Sequence, residues 1–190
     1  MKLPLLLATV ILATAPAFAG VIHFDELGTS SNVDANNQHV LGVLFQFSGG
    51  SAQYNGTIDA VDTTALASDP VLLGDTSGTL TLTFDTPIDM LSFDIVMEAV
   101  TPITSAYTVS LPGNVSLSGD TAPLVFFSEG YFEYEGPLVS TATITFSNQA
   151  PQFAIDNLAF AAPEPGTSLL LGGALLGLSF LGRRNRQRRR

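Results

Sequence analysis

The sequence predicts an all-β body, an antiparallel two-sheet sandwich of jelly-roll type, set between two targeting segments. Three observations carry this. The stretches "TLTLTF" (Thr79–Phe84) and "TATITF" (Thr141–Phe146) alternate hydroxyl and apolar residues with period two, the signature of a half-buried strand. Clusters of Gly, Pro, Asp, Asn and Ser interrupt the chain at short intervals, as turns do. No window of helical length between Gly20 and Phe160 places its apolar residues on one helical face.

Residues 1–19 read as a secretory signal peptide. Lys2 is its positive start, Leu3–Leu12 its apolar core, and Ala17-Phe18-Ala19 a small-x-small cleavage site, with the cut after Ala19. The stretch is too short to span a bilayer. Residues 20–161 form the body. Strands are expected at Val21–Phe24, Val40–Phe47, Thr79–Phe84, Met90–Met97, Tyr107–Leu111, Leu124–Phe127, Tyr131–Tyr134, Thr141–Phe146 and Phe153–Phe160, where β-branched and aromatic residues concentrate. Turns are expected from Ser48 ("SGG"), Ser68 ("SDP"), Asp75 ("DTSG"), Asp85 ("DTP"), Leu111 ("LPGN"), Ser118 ("SGD") and Glu135 ("EGP"). Gly28–Asn37 reads as a loop, and Thr57–Leu73 as a second irregular region.

Charge is distributed with unusual asymmetry. The seven basic residues are Lys2 and six arginines from Arg183 onward, so none lies between Gly20 and Ala162, which holds every acidic residue except Glu164. Attraction of this body to nucleic acid or to anionic lipid is excluded, because the charges have the same sign. Carboxylates that converge in it have no Lys or Arg to pair with, and must separate, share a proton or bind a metal cation. Cysteine is absent, which removes disulfides, thiol nucleophiles and thiolate metal sites.

The last segment, 162–190, joins Pro163-Glu164-Pro165 to an apolar span, Thr167–Gly182, and an arginine-rich end. At ~1.5 Å per residue, the span reaches about 24 Å as a single transmembrane helix. The arginines would keep its end cytoplasmic. These parts, in this order, resemble a PEP-CTERM sorting signal. The resemblance implies passage through the inner membrane of a Gram-negative bacterium and recognition by an exosortase at Pro163, Glu164 and Pro165. Delivery to the cell surface or to an extracellular, exopolysaccharide-rich biofilm matrix would follow. Glu164 is then a processing determinant rather than a catalytic acid.

The opening "VIHFDELG" and closing "FAIDNLAF" resemble jelly-roll carbohydrate-binding and related exported modules. That resemblance implies a structural calcium ion on Asp25 or Glu26 and Asp156, with Asn157 assisting; calcium prefers six to eight hard oxygens. Asp59, Asp62, Asp69 and Asp75 make a second acidic group without EF-hand spacing. Glu133 and Glu135 fall on one side of a strand, and with Tyr131 and Tyr134 they form the candidate ligand face, since tyrosine offers a stacking platform for sugar rings. His23 and His39 lie in apolar strand patterns without Ser-His-Asp or metal spacing. The leading expectation is a non-enzymatic exported surface or matrix protein. A calcium-dependent carbohydrate-binding module is the alternative, and a secreted hydrolase the third reading.

Overall fold

The computed structural model describes residues 19–28, 33–57, 65–98, 104–124, 127–147 and 150–162; most of the predicted signal peptide and the tail from Pro163 lie outside them. The described residues contain no helix. Their strands are β1 (Ala19–Ile22), β2 (Val33–Asp34), β3 (Gln38–Val40), β4 (Val43–Ser48), β5 (Ala52–Gly56), β6 (Val71–Asp75), β7 (Thr79–Glu98), β8 (Ala106–Leu111), β9 (Val115–Asp120), β10 (Ala122–Pro123), β11 (Phe127–Phe146) and β12 (Gln152–Ala161). They pair in the order β2-β5-β6-β12-β7-β11-β8-β9, with β1 on β12, β10 on β11, and β3-β4 on β7. The pairings are antiparallel.

The body is a sandwich whose layers are continuous through β7 and β11. The first part of β7, Thr79–Phe84, lies between β4 and the end of β11; the last part, Met90–Glu98, lies between β12 and the start of β11. Four strands expected from the sequence are therefore two. The predicted turns at Asp85 and Glu135 are corrected to bends. Glu135 pairs with Met90, Val139 with Ile88 and Thr141 with Thr83, with a register shift on each side of Val139. Pro87 and Pro137 sit at this bulged corner, where a missing N–H costs the ladder little. Turn-forming residues mark a break in a regular strand, but do not say whether the chain reverses or bends there.

The inward residues record the bend. Along β7 they are Leu80, Leu82, Phe84 and Ile88, then Leu91, Phe93, Ile95 and Met97, so the inward face changes from even to odd positions, as a one-residue slip requires. Aromatic rings join the layers. Phe153 of β12 stacks on Phe146 at 3.9 Å between ring centres and meets Phe47 at 6.0 Å, while Phe93 meets Tyr107 at 6.1 Å.

β2 falls inside the stretch read as a loop, Gly28–Asn37, β9 runs through the turn read at Ser118, and β5 and β6 lie outside the expected strands. β5 carries Asn55 and Gly56, and β6 begins at Val71 inside the region expected to be irregular. β9 is exposed along most of its length, with Leu117 half-buried. Of the expected strand at Leu124–Phe127, Phe127 starts β11, the short β10 lies just before, and residues 125–126 are outside the described set. β1 stops at Ile22 because Phe24, although buried, adopts φ 64°, a left-handed conformation that ends a strand.

Candidate functional site

The opening and closing strands do meet. β1 runs along β12 with Ile22 opposite Leu158 and Gly20 opposite Phe160. Beyond β1 the backbone turns at Phe24, and Gly28 N donates to the Asp25 carbonyl at 3.0 Å. Glu26 Oε1 accepts from His23 N at 2.7 Å, and Glu26 Oε2 accepts from the Tyr54 hydroxyl at 2.6 Å. Tyr54 is fully buried, edge-on to Phe24 and Phe45. Its hydroxyl is held well above the ordinary tyrosine range by burial first and then by Glu26.

On β12, a register shift follows Asp156 and Asn157 takes φ 50°, a conformation asparagine tolerates better than most residues. Asp156 is 2% exposed. Its Oδ2 accepts from Ser68 N at 3.0 Å and its Oδ1 from Asn157 N at 2.6 Å. Burial raises its pKa, opposed by those two N–H groups and by His23. Asn157 Nδ2 donates to Asp94 Oδ2 at 2.8 Å, and Asn157 Oδ1 lies 3.1 Å from His23 Nδ1. His23 thus links Glu26 to Asn157. The sequence reading missed this, because the alternation around His23 suggested a strand interior, whereas its side chain is exposed.

These residues do not fit a calcium cage. Both carboxylate oxygens of Glu26 and of Asp156 already accept hydrogen bonds, Asp25 is exposed on a turn, and no three His, Asp or Glu side chains converge among the described residues. The geometry assigns them a different task, that of fastening loops. Asp156, Asn157 and Glu129 hold the segment around residues 65–68 over the outer face: besides Ser68 N on Asp156, Ala65 N donates to Glu129 Oε1 at 2.5 Å, and Asn157 Nδ2 reaches Leu66 O at 3.5 Å. Ala67 of that segment joins Val71, Val96, Phe127 and Ala154 in a small second apolar cluster.

The candidate ligand face is only partly assembled. Tyr131 pairs with Asp94, and Asp94 with Asp156, so their side chains form a row across β11, β7 and β12 on the face away from the main core. Glu133, two residues along, pairs with Ser92. Tyr131 is 55% exposed, and Glu133 and Glu135 are also exposed. Tyr134 does not belong with them. It points inward, is buried, and donates its hydroxyl to Pro137 O at 2.5 Å. Period two places Tyr131 and Tyr134 on opposite faces, as an odd separation must. The open part of the face is thus one exposed tyrosine flanked by Asp94 and Glu133. On the same side a pocket of about 230 Å³ has Leu73, Val96 and Ala154 in its floor, with Glu98 and Gln152 among its lining. That is below the ~300 Å³ of an enclosed small-molecule site; a second cavity of about 340 Å³, beside Leu41, Phe84, Asp85 and Phe160, lies away from this face.

Of the second acidic group, Asp75 Oδ2 accepts from Ser51 N at 2.7 Å and Ser51 Oγ at 2.9 Å, which ties two loops together. Asp59 and Asp62 lie outside the described residues, as do Ala17, Pro163, Glu164, Pro165 and the span 167–182. Ala19 begins β1. His39 is exposed, with Nε2 3.0 Å from Asp85 Oδ1.

Residues 161–187 match the PEP-CTERM protein-sorting motif. No curated protein matches the chain closely enough to count as a relative. Among solved structures, the chain is similar to a family 29 carbohydrate-binding module at 10% identity, covering 77% of this chain and 90% of that one with TM-score 0.44. A variant of such a module complexed with mannohexaose aligns at 10% identity over 77% and 93% of the two chains, TM-score 0.45. One complexed with cellulohexaose aligns at 12% identity over 77% and 92%, TM-score 0.43.

Proposed function

We propose that this is a non-enzymatic exported protein. An exosortase handles its tail, and its jelly-roll-like body is displayed at the cell surface or in an extracellular matrix. The observation that carries the reading is the sorting motif over residues 161–187, which starts at the last residue of β12. Mass spectrometry of the protein released by a Gram-negative host with an exosortase tests it. The expected species begins at Gly20, ends near Pro163–Pro165, and yields no tryptic peptide starting inside the body, which has no Lys or Arg. Glu164→Ala should block tail removal. Release of the Glu164→Ala variant with an identical C-terminus would overturn the reading.

One observation favours a further role. Tyr131 projects a largely exposed aromatic ring beside Asp94, whose carboxylate is oriented by Asn157. An exposed ring stacks on the C–H face of a sugar while flanking carboxylates accept its hydroxyls. On this reading the body binds a neutral polysaccharide without calcium. Co-sedimentation with purified exopolysaccharide tests it: Tyr131→Ala should abolish retention, and equal retention of both proteins would refute it.

A further inference from the structure

We propose that β12 sets the order of processing, so that the Ala19–Gly20 bond is hydrolysed only while β12 is still unpaired. The proposal rests on the export reading above. β1 contains that bond, and in the closed body β1 is zipped to β12, with Ala19 opposite Ala161, Gly20 opposite Phe160, Val21 opposite Ala159 and Ile22 opposite Leu158. The Phe160 ring is pressed close to Gly20; a Cβ at Gly20 would fall 2.8 Å from Phe160 Cζ. An endopeptidase takes its substrate as an extended segment with the backbone free for strand addition. The same backbone cannot be drawn into a protease cleft while it is paired to β12 and pressed against a core aromatic.

Chain order supplies the window. β1 is the first strand and β12 the last of the described strands, yet β12 occupies the middle of its layer, with β7 on one side and β6 and β1 on the other. In N-terminal-first export, β1 therefore emerges with no partner until nearly the whole body has followed. Until then Phe153, Ile155, Leu158 and Phe160, each at most 1% exposed in the closed body, are missing from the core. Hydrolysis in this interval adds water across the peptide, leaving the Ala19 carboxylate on the signal segment and the Gly20 ammonium at the start of β1. The other end differs. β12 finishes at Ala161, so a cut in the tail beyond it removes no strand of the sheet.

The test uses the full-length precursor, folded in detergent micelles and then exposed to purified signal peptidase. A Phe153→Asp/Ile155→Asp double variant, which cannot seat β12, serves as the open form. The folded wild-type precursor should be cut at Ala19–Gly20 at least tenfold more slowly than the variant, and brief urea treatment should bring it up to the variant's rate. Equal rates for the folded wild type and the variant would overturn the ordering. A variant that is not cut at Ala19–Gly20 at all would overturn the signal-peptide reading itself, and the ordering with it.

Discussion

Replacing Phe153 by alanine tests whether β12 is the keystone of the body. The ring is 1% exposed, stacks on Phe146 with planes 11° apart, and meets Phe47 from the neighbouring layer. On its far side it lies against Gly74, where an added Cβ would sit 2.7 Å from the ring. With rings and backbone on these sides, the site has little room to collapse. Phe-to-Ala substitutions in cores cost about 3–5 kcal/mol, and the cost rises when the cavity persists. The lost stacked pair adds to this on the order of 1 kcal/mol, so about 4–5 kcal/mol is expected. That is a large share of the ~5–15 kcal/mol typical of a whole domain. Urea unfolding of the Gly20–Ala162 body, followed by far-ultraviolet circular dichroism, measures it. Tyr131→Ala is the control: an exposed residue away from the core should shift stability by no more than about 0.5 kcal/mol. A Phe153→Ala loss below about 1 kcal/mol, or one no larger than that of Tyr131→Ala, would refute the placement of β12 at the centre of the sandwich.

Other outcomes follow from the site geometry. Asp156 has a pKa raised above its ordinary 3.8 in the folded state by burial, so folding favours its protonated form. Its stabilising contribution is complete below that value and is lost as pH rises through the folded pKa; thermal melting across this range should show the decline, and Asp156→Asn should flatten it. Melting in excess calcium and in EGTA should coincide, because the Glu26 and Asp156 oxygens are engaged in hydrogen bonds; a clear upward shift with calcium would contradict the assignment of these residues to loop fastening. Tyr54→Phe removes the hydroxyl that anchors Glu26 and should cost about 1–2 kcal/mol, measured by urea unfolding, since hydrogen bonds to charged groups lie near or above the upper end of the usual range.

Particular residues show how far the sequence could be read. Alternation at Thr79–Phe84 and Thr141–Phe146 announced strands because one side of each segment is buried there. β9 escaped notice because its Ser118-Gly119-Asp120 reads as a turn, although Leu117 and Gly119 are half-buried between exposed neighbours; the rule itself failed for β5, where Tyr54, Asn55 and Gly56 are all buried and no alternation survives. The partners of the polar groups on the first and last strands were not legible. Glu26 turns to Tyr54 and Asp156 to Ser68, contacts spanning 28 and 88 positions of chain. A spacing rule cannot anticipate such contacts, because they depend on which loops cross the sheet.

By itself the sequence determined the all-β class, the anionic body without a permanent cation, and the sorting motif behind it. These are properties of composition and local order, and they hold whatever the chain packs against. Only the tertiary structure decided that Asp85–Pro87 and Glu135–Pro137 bend two long strands instead of ending four, that Tyr134 is core while Tyr131 is surface, and that the last strand lies in the middle of its layer against the first. Each of these depends on register between distant segments. A single bulge inverts which side chains face inward, and local residue preferences do not carry that information.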